Sequence, residues 1–275
     1  MSAEFFGCDS EKCVRCGACV RDCAFKALRA DAEGRPVMAK PDRCMRCQHC
    51  FAICPTGAIA FDGHGAEEAV ATKGLELPSA EAVRNFLRSR RSIRTFAAED
   101  VDRSVLEEIL KTLGNSPTGC NARSLTFHCW PNRASLDRFR QTFVDILARH
   151  KGPHLLPRWL AVPAINLRRA REDIFFRGAS GLLLVSSDER NPAVTTPVED
   201  TVIACANFEH LANAHGIGTC WFGFLRHAHA VVPELLGEAV GLRPETPFYA
   251  MLFGRPGLRH VRTVCRDSYA DIRWM

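Results

Sequence analysis

Cys13-Val14-Arg15-Cys16-Gly17-Ala18-Cys19-Val20-Arg21-Asp22-Cys23 spaces its cysteines C-x2-C-x2-C-x3-C, and the same spacing returns at Cys44, Cys47, Cys50 and Cys54. Each cysteine of the second run lies 31 residues after its counterpart, so the region is an internal duplication. Two-residue steps let successive thiolates converge on neighbouring irons, which makes each triplet a cup for one cubane. A disulfide framework fits poorly, because Met1-Ser2-Ala3-Glu4 opens without the basic and apolar regions of a secretory signal. Zinc fits poorly too: its sites pair two C-x2-C knuckles instead of stringing three cysteines together.

The two runs resemble the bacterial two-cluster ferredoxins. That resemblance implies two 4Fe-4S clusters and a crossed ligand set. Cys13, Cys16 and Cys19 would share one cluster with Cys54, and Cys44, Cys47 and Cys50 the other with Cys23. Pro55 follows Cys54 as that family prefers, whereas Ala24 follows Cys23, a departure that frees the turn without removing a ligand. Val20, Phe25, Ile53, Ile59 and Phe61 are the expected apolar shell.

The chain has 275 residues, 47% of them hydrophobic and 24% charged, which is a globular balance. No apolar run approaches the ~18 residues of a membrane span, so a cytoplasmic protein is expected. The formal charge of +5 counts every cysteine as neutral. Two oxidised clusters with eight thiolates would bring the chain close to neutral, and nucleic acid is not an expected partner. Arginines number 30 against 6 lysines, an excess that codon usage explains for most of them. The stretch from Gly63 to Pro78 loses hydrophobic periodicity. The expected organisation is a cluster domain at 1–62, a linker at 63–78 and a second domain at 79–275.

In that second part Ser79 is placed to cap a helix carrying Val83, Phe86 and Leu87 on one face. Asp102 would cap the next, with Val101 and Leu106 as a hydrophobic staple and Gly114 as its stop. Leu125–Trp130, Gly181–Ser187, Gly218–Phe222 and Phe248–Gly254 read as strands, and Arg133–His150 as a helix with Leu136, Phe139, Phe143 and Leu147 inward. Thr196-Pro197-Val198-Glu199 reads as a capping box opening a helix through Ile203, Phe208 and Leu211 to a stop at Gly216. Helices and strands intermingle without steady alternation, so the class is α+β, a sheet covered by helices.

Three segments carry a second resemblance: Arg90-Arg91-Ser92-Ile93-Arg94-Thr95-Phe96, Ser116-Pro117-Thr118-Gly119-Cys120-Asn121-Ala122-Arg123, and Gly216-Ile217-Gly218-Thr219-Cys220-Trp221-Phe222-Gly223. Each alone is a solvated basic run or a turn, but their order and spacing resemble the FMN-dependent nitroreductases over nearly all of 79–275. The whole chain looks like a ferredoxin–nitroreductase fusion. The resemblance implies a three-layer α/β/α domain and a homodimer with FMN at its interface. Arg90 and Ser92, beside Arg91, would hold the phosphate, and Arg94 the pyrimidine edge of the ring, where positive charge favours the reduced flavin. Arg266, or next Arg262, matches a further basic position. Pro117, Thr118 and Asn121 would reach the ring from the partner subunit, with Arg123 standing where a glutamine is common. Trp221-Phe222-Gly223 would bring a backbone N–H toward flavin N5. Residues near 150–180, with Trp159, Phe175 and Phe176, fall where that family varies a substrate lid, although core aromatics explain them as well.

These resemblances imply an oxidoreductase that takes electrons from reduced ferredoxin or another low-potential donor and passes them to a nitroaromatic or activated alkene. The alternatives are an NAD(P)H-driven flavin reductase with a structural or sensing cluster module, and an electron carrier with no substrate of its own. No G-x-G-x-x-G, G-x-x-x-x-G-K-[ST] or G-x-S-x-G motif supports a dinucleotide fold, an NTP site or a serine hydrolase. Cys8, Cys120, Cys129, Cys205, Cys220 and Cys265 read as small apolar residues, with Cys120 placed in the ring loop.

Overall fold

The 31-residue repeat of the sequence returns as a repeat of backbone geometry. In the computed structural model, which describes residues 5–150, 156–169, 172–266 and 270–275, the chain divides into units at Met1–Pro78 and Ser79–Met275. The first unit runs β1 (Phe6–Cys8), α1 (Ala18–Asp22), β2 (Leu28–Ala30), β3 (Pro36–Met38), α2 (His49–Ala52) and β4 (Ile59–Phe61). β1 pairs antiparallel with β4, and β2 with β3, so each small sheet combines the first strand of one repeat with the second strand of the other. Left-handed backbone recurs at the same interval: Arg15 and Arg46, Gly17 and Gln48, Lys26 and Gly57 all have φ between 52° and 69°. That conformation costs a side-chain-bearing residue about 1–2 kcal/mol, so its repetition at non-glycine positions marks turns the cysteine loops require.

Ala27, Leu28, Ala58, Ile59 and Phe61 form the small core of this unit. Phe25 and Ile53, expected in the apolar shell, are largely exposed. The start of the expected linker is structured: Phe61 and His64 form a β-bridge, and Ala66–Glu68 is a 3-10 turn. A Cβ on Gly57 would come within 2.6 Å of Ala66, so this turn packs against the second cysteine loop.

The second unit holds α3 (Ala80–Ser89), α4 (Arg103–Thr112), β5 (Leu125–Trp130), α5 (Arg133–Arg149), α6 (Arg158–Arg168), β6 (Gly181–Ser187), α7 (Pro197–Ala214), β7 (Gly218–Trp221), α8 (Gly223–Val231), α9 (Leu235–Val240) and β8 (Phe248–Gly254). The sheet is antiparallel in the order β5-β6-β8-β7. β6 is buried along its whole length, and the pleat sends its residues alternately to two cores. Leu182 and Leu184 join α5, α6, α8 and α9 on one face, while Leu183 and Val185 join α4 and α7 on the other. The result is the three-layer α/β/α arrangement.

Several expectations are corrected by this fold. Thr196 does not cap α7 with its side chain; its hydroxyl donates to Asp200 Oδ1 at 2.9 Å instead. Val83, Leu87 and Ile203 are exposed. Phe175 and Phe176 are core residues, in edge contact with Phe143, and only Trp159 of the expected lid aromatics is exposed; residues 151–155 and 170–171 of that stretch lie outside the described residues. Phe222 follows β7 instead of ending it. α6, α8 and α9 were not legible: α6 carries Pro163 inside it, α8 opens on a glycine, and α9 spans six residues.

One glycine joins two of the motifs. A Cβ on Gly218 would lie 2.6 Å from Ile93 Cγ1, and Ile93 N–H donates to Thr219 O at 2.8 Å. The Arg90–Phe96 segment therefore lies flush along β7 only because residue 218 has no side chain. Gly218→Val is expected to cost about 1–3 kcal/mol of stability, read as a lower urea midpoint; an unchanged midpoint would show that Ile93 moves aside freely.

Candidate functional site

Cys13, Cys16, Cys19 and Cys54 line one cavity of the first unit, with Gly17 and Ile59. Cys23, Cys44, Cys47 and Cys50 line another, with Phe25 and Phe61. The fourth cysteine of each run thus faces the triplet of the other run, carried there by the strand exchange between repeats. Among the described residues no three Cys, His, Asp or Glu side chains are close enough to hold a single metal ion; the thiols surround a space instead of converging on a point.

The environment of these sulfurs favours charge compensation. Burial pushes the Cys19, Cys44 and Cys50 thiols up, Cys50 to about 12. Burial acts on Cys54 as well, but the N–H groups of Thr56 and Ala58 and the Thr56 hydroxyl overcome it and bring that thiol below its ordinary value. Ala58 N–H donates to Cys54 Sγ at 3.2 Å and Ala27 N–H to Cys23 Sγ at 3.3 Å, again 31 residues apart. Half-buried thiolates with backbone donors are stable beside iron cations and costly without them, so the donor set fits a cubane in each cavity.

In the second unit α7 organises all three motifs. Its buried residues Asp200, Thr201, Ala204, Cys205, Phe208, Glu209 and Ala212 follow helical periodicity, and two of them are acids. Glu209 Oε1 pairs with Arg90 Nη1 at 2.9 Å and accepts from the Thr219 hydroxyl at 3.2 Å. Asn213 donates to the same hydroxyl at 3.2 Å. Glu209 thereby fixes the guanidinium of the first motif against the third. Ala97 N–H to Arg255 O and Gly257 N–H to Thr95 O hold the other end of the first motif beside the extension of β8.

The second motif is tied to α7 at two points, near its start and beside Glu209. Gly119 N–H donates to Asp200 Oδ1 at 3.0 Å and Asn207 Nδ2 to Ser116 Oγ at 2.9 Å. Arg123 N–H donates to Thr118 Oγ1 at 3.1 Å. Cys120, Asn121 and Arg123 all have φ near 50°, so the loop stores strain that these anchors sustain. A Cβ at Gly119 would collide with the Thr196 hydroxyl, which explains the glycine.

Around the first and third motifs, Arg91 and Ser92 are half-buried and Arg94 is exposed. Gly223 opens α8 with space where a side chain would stand. Trp221 packs edge-on against Tyr249, and Phe222 is buried against Phe176. Arg262 and Arg266 lie on the exposed C-terminal tail. Cys205 and Cys220 are buried, whereas Cys120 and Cys265 are exposed. Glu209, Asp200 and Asn207 escaped sequence reasoning, although acids falling on the buried stripe of α7 were the available signal.

The Nitroreductase family profile matches residues 87–255, and a 4Fe-4S dicluster domain profile matches residues 12–58. A nitroreductase with bound FMN from Bacteroides fragilis is 19% identical, with a TM-score of 0.52, covering 70% of this chain and 98% of its own; it shares the fold. A nitroreductase with bound FMN from Desulfitobacterium hafniense covers 69% of this chain and 97% of its own at 19% identity, TM-score 0.49. An FMN-dependent nitroreductase from Mycobacterium smegmatis in complex with NADPH covers 70% and 99% at 16% identity, TM-score 0.49. No curated protein matches the chain.

Proposed function

This chain belongs to the nitroreductase family and carries a 4Fe-4S dicluster domain ahead of it, and from that premise we propose an iron–sulfur flavoprotein oxidoreductase fed by reduced ferredoxin or another low-potential donor. Two 4Fe-4S clusters and FMN would supply one-electron entry and two-electron delivery to an electron-poor organic acceptor, a nitroaromatic or an activated alkene. The observation that carries the reading is the sorting of eight cysteines into two cavities of four, in a chain whose second unit has the nitroreductase fold. An anaerobic absorption spectrum of the purified protein tests it, since clusters and flavin absorb distinctly; a protein with neither would overturn it.

Each residue has a task in this reading. Arg90, oriented by Glu209, keeps guanidinium N–H groups free of that bond, and with Ser92 and Arg91 provides the donors a phosphate needs. Arg94 supplies positive charge at the pyrimidine edge. The open face at Gly223 leaves room for a flat ring beside a backbone N–H. Arg266, or Arg262, would complete the phosphate site. Arg90→Ala should weaken FMN binding by about 1.5–3 kcal/mol, as for a lost charged hydrogen bond. It also leaves Glu209 buried without its cation, so the melting temperature should fall as well. Fluorescence titration with FMN measures the first effect, and unchanged affinity would remove Arg90 from the phosphate site.

A homodimer is part of the same reading. Asp200 and Glu209 lie nine residues apart on α7, about 14 Å along the axis. The tip of the loop at Gly119 is held at Asp200 and its start, Ser116, at Asn207; its serving the partner's flavin rests on the family resemblance. Exposed Val83 and Leu87 on α3, Val198 and Ile203 on α7, and Leu258, Val261 and Val264 in the tail supply apolar surface for such an interface. Sedimentation should give a dimer; a monomer retaining full FMN would contradict the arrangement. No described helix is long and apolar enough to cross a membrane.

A further inference from the structure

The two cysteine runs share their spacing but not their surroundings, and the 31-residue repeat pairs each side chain near one cavity with a counterpart near the other. Several charges cancel in that comparison. Lys12 and Arg43 are counterparts, as are Arg15 and Arg46, so both runs carry cations at the same positions. His49 stands where the first run has Ala18, but it faces Asp22 Oδ2 at 3.2 Å. Lys26, whose counterpart is Gly57, directs its ammonium to Arg21 O at 3.3 Å and not to a cysteine. The Ala27 and Ala58 N–H groups donate to Cys23 and Cys54 Sγ alike.

Two differences do not cancel, and both fall at the cavity of Cys13, Cys16, Cys19 and Cys54. Arg21 Nη1 donates to Cys16 O at 2.8 Å. A Cβ on Gly17 would stand 3.1 Å from that nitrogen, so the glycine leaves its path open. In the second run the counterparts are Ala52 and Gln48, which supply neither the guanidinium nor the opening. Thr56 Oγ1 lies 3.8 Å from Cys54 Sγ, and because a thiolate bound to iron has no proton, the hydroxyl is the donor there. The counterpart of Thr56 is Phe25, which lines the other cavity and has no hydrogen to donate.

Reduction adds one negative charge to a centre already bound by four thiolates. A cation held at one ligand's carbonyl and a hydrogen bond to another ligand's sulfur both stabilise that charge, and so raise the potential. We propose that Arg21 and Thr56, acting through Cys16 and Cys54, make the site of Cys13, Cys16, Cys19 and Cys54 the higher in potential of the two and so give the module a direction. An electron supplied by a reduced low-potential donor at the site of Cys23, Cys44, Cys47 and Cys50 passes on to the other site. One centre loses an electron as the other gains it, and no proton moves. The inference rests on the two-cluster reading.

The test is an anaerobic redox titration of the full holoprotein, followed by paramagnetic resonance. In the wild type the two clusters should reduce in separate steps, their equilibrium constants about tenfold apart, which is about 59 mV for one electron. The first signal to appear should match that of reduced Cys47→Ala, which keeps the Cys16 site. Arg21→Met and Thr56→Val should each lower the upper step and leave the lower one in place, and the double variant should close most of the gap. Phe25→Thr should raise the lower step. These three substitutions keep every ligand, so they decide the matter even if a cysteine variant assembles no cluster. Clusters that titrate together in the wild type, a first signal matching Cys16→Ala, a gap that widens in Thr56→Val, or steps that do not move in any variant would each overturn the proposal. A wild type with about four irons per chain would overturn the two-cluster reading instead, and iron content distinguishes the two failures.

Discussion

Cys54→Ala is expected to destroy the cluster cupped by Cys13, Cys16 and Cys19, and to lower anaerobic iron from about eight atoms per chain toward about four. The residue is far from that triplet in sequence, yet the four share one cavity, whereas Cys44, Cys47 and Cys50 face Cys23. Two further variants fix which cluster is lost by direct comparison of spectra. The paramagnetic resonance spectrum of reduced Cys54→Ala should match that of Cys16→Ala and differ from that of Cys47→Ala. A match to Cys47→Ala would mean that each run keeps its own fourth cysteine. A wild-type protein with about four irons, or with zinc, would end the two-cluster reading.

Removing the second cluster should block electron entry to the flavin. In stopped-flow experiments a Cys44→Ser/Cys47→Ser variant is expected to reduce its FMN with reduced ferredoxin, or with a low-potential dye, about a hundredfold or more slowly than the intact chain. That is the lower end of what tethering confers, since a covalent link turns donor and acceptor encounter into an intramolecular event. NADH and NADPH should reduce the intact protein much more slowly than ferredoxin does. If NADPH reduces intact and variant protein at one fast rate, the clusters are not the entry route, and a nicotinamide-driven reductase with a structural or sensing module takes the place of the present reading.

The parts of the molecule legible in the sequence are those written in short, local chemistry. The cysteine spacing, the helix caps at Ser79 and Asp102, and the apolar run of β6 each express a constraint that neighbouring residues impose. The α+β class followed from such elements, and the three layers from the resemblance that the three motifs carry. What stayed hidden depends on residues distant in the chain. Glu209 orients Arg90 across 119 positions, and Arg133 joins two turns 45 and 36 positions away; no local pattern announces such pairs. Val83, Leu87 and Ile203 were misplaced for a related reason: an apolar stripe says that a face is to be covered, but not whether the cover belongs to the same chain.

The exchange of strands between the two halves of the first unit limits how this module can change. One 31-residue half alone would keep three cysteines facing a cavity whose fourth wall is gone, and two strands with nothing to pair. Deleting a half to leave a one-centre relay is therefore structurally closed, as is lengthening the relay by adding a single half. A redesign that wants one centre must silence the other by substitution within the intact pair, and the number of centres in this architecture grows or shrinks in twos.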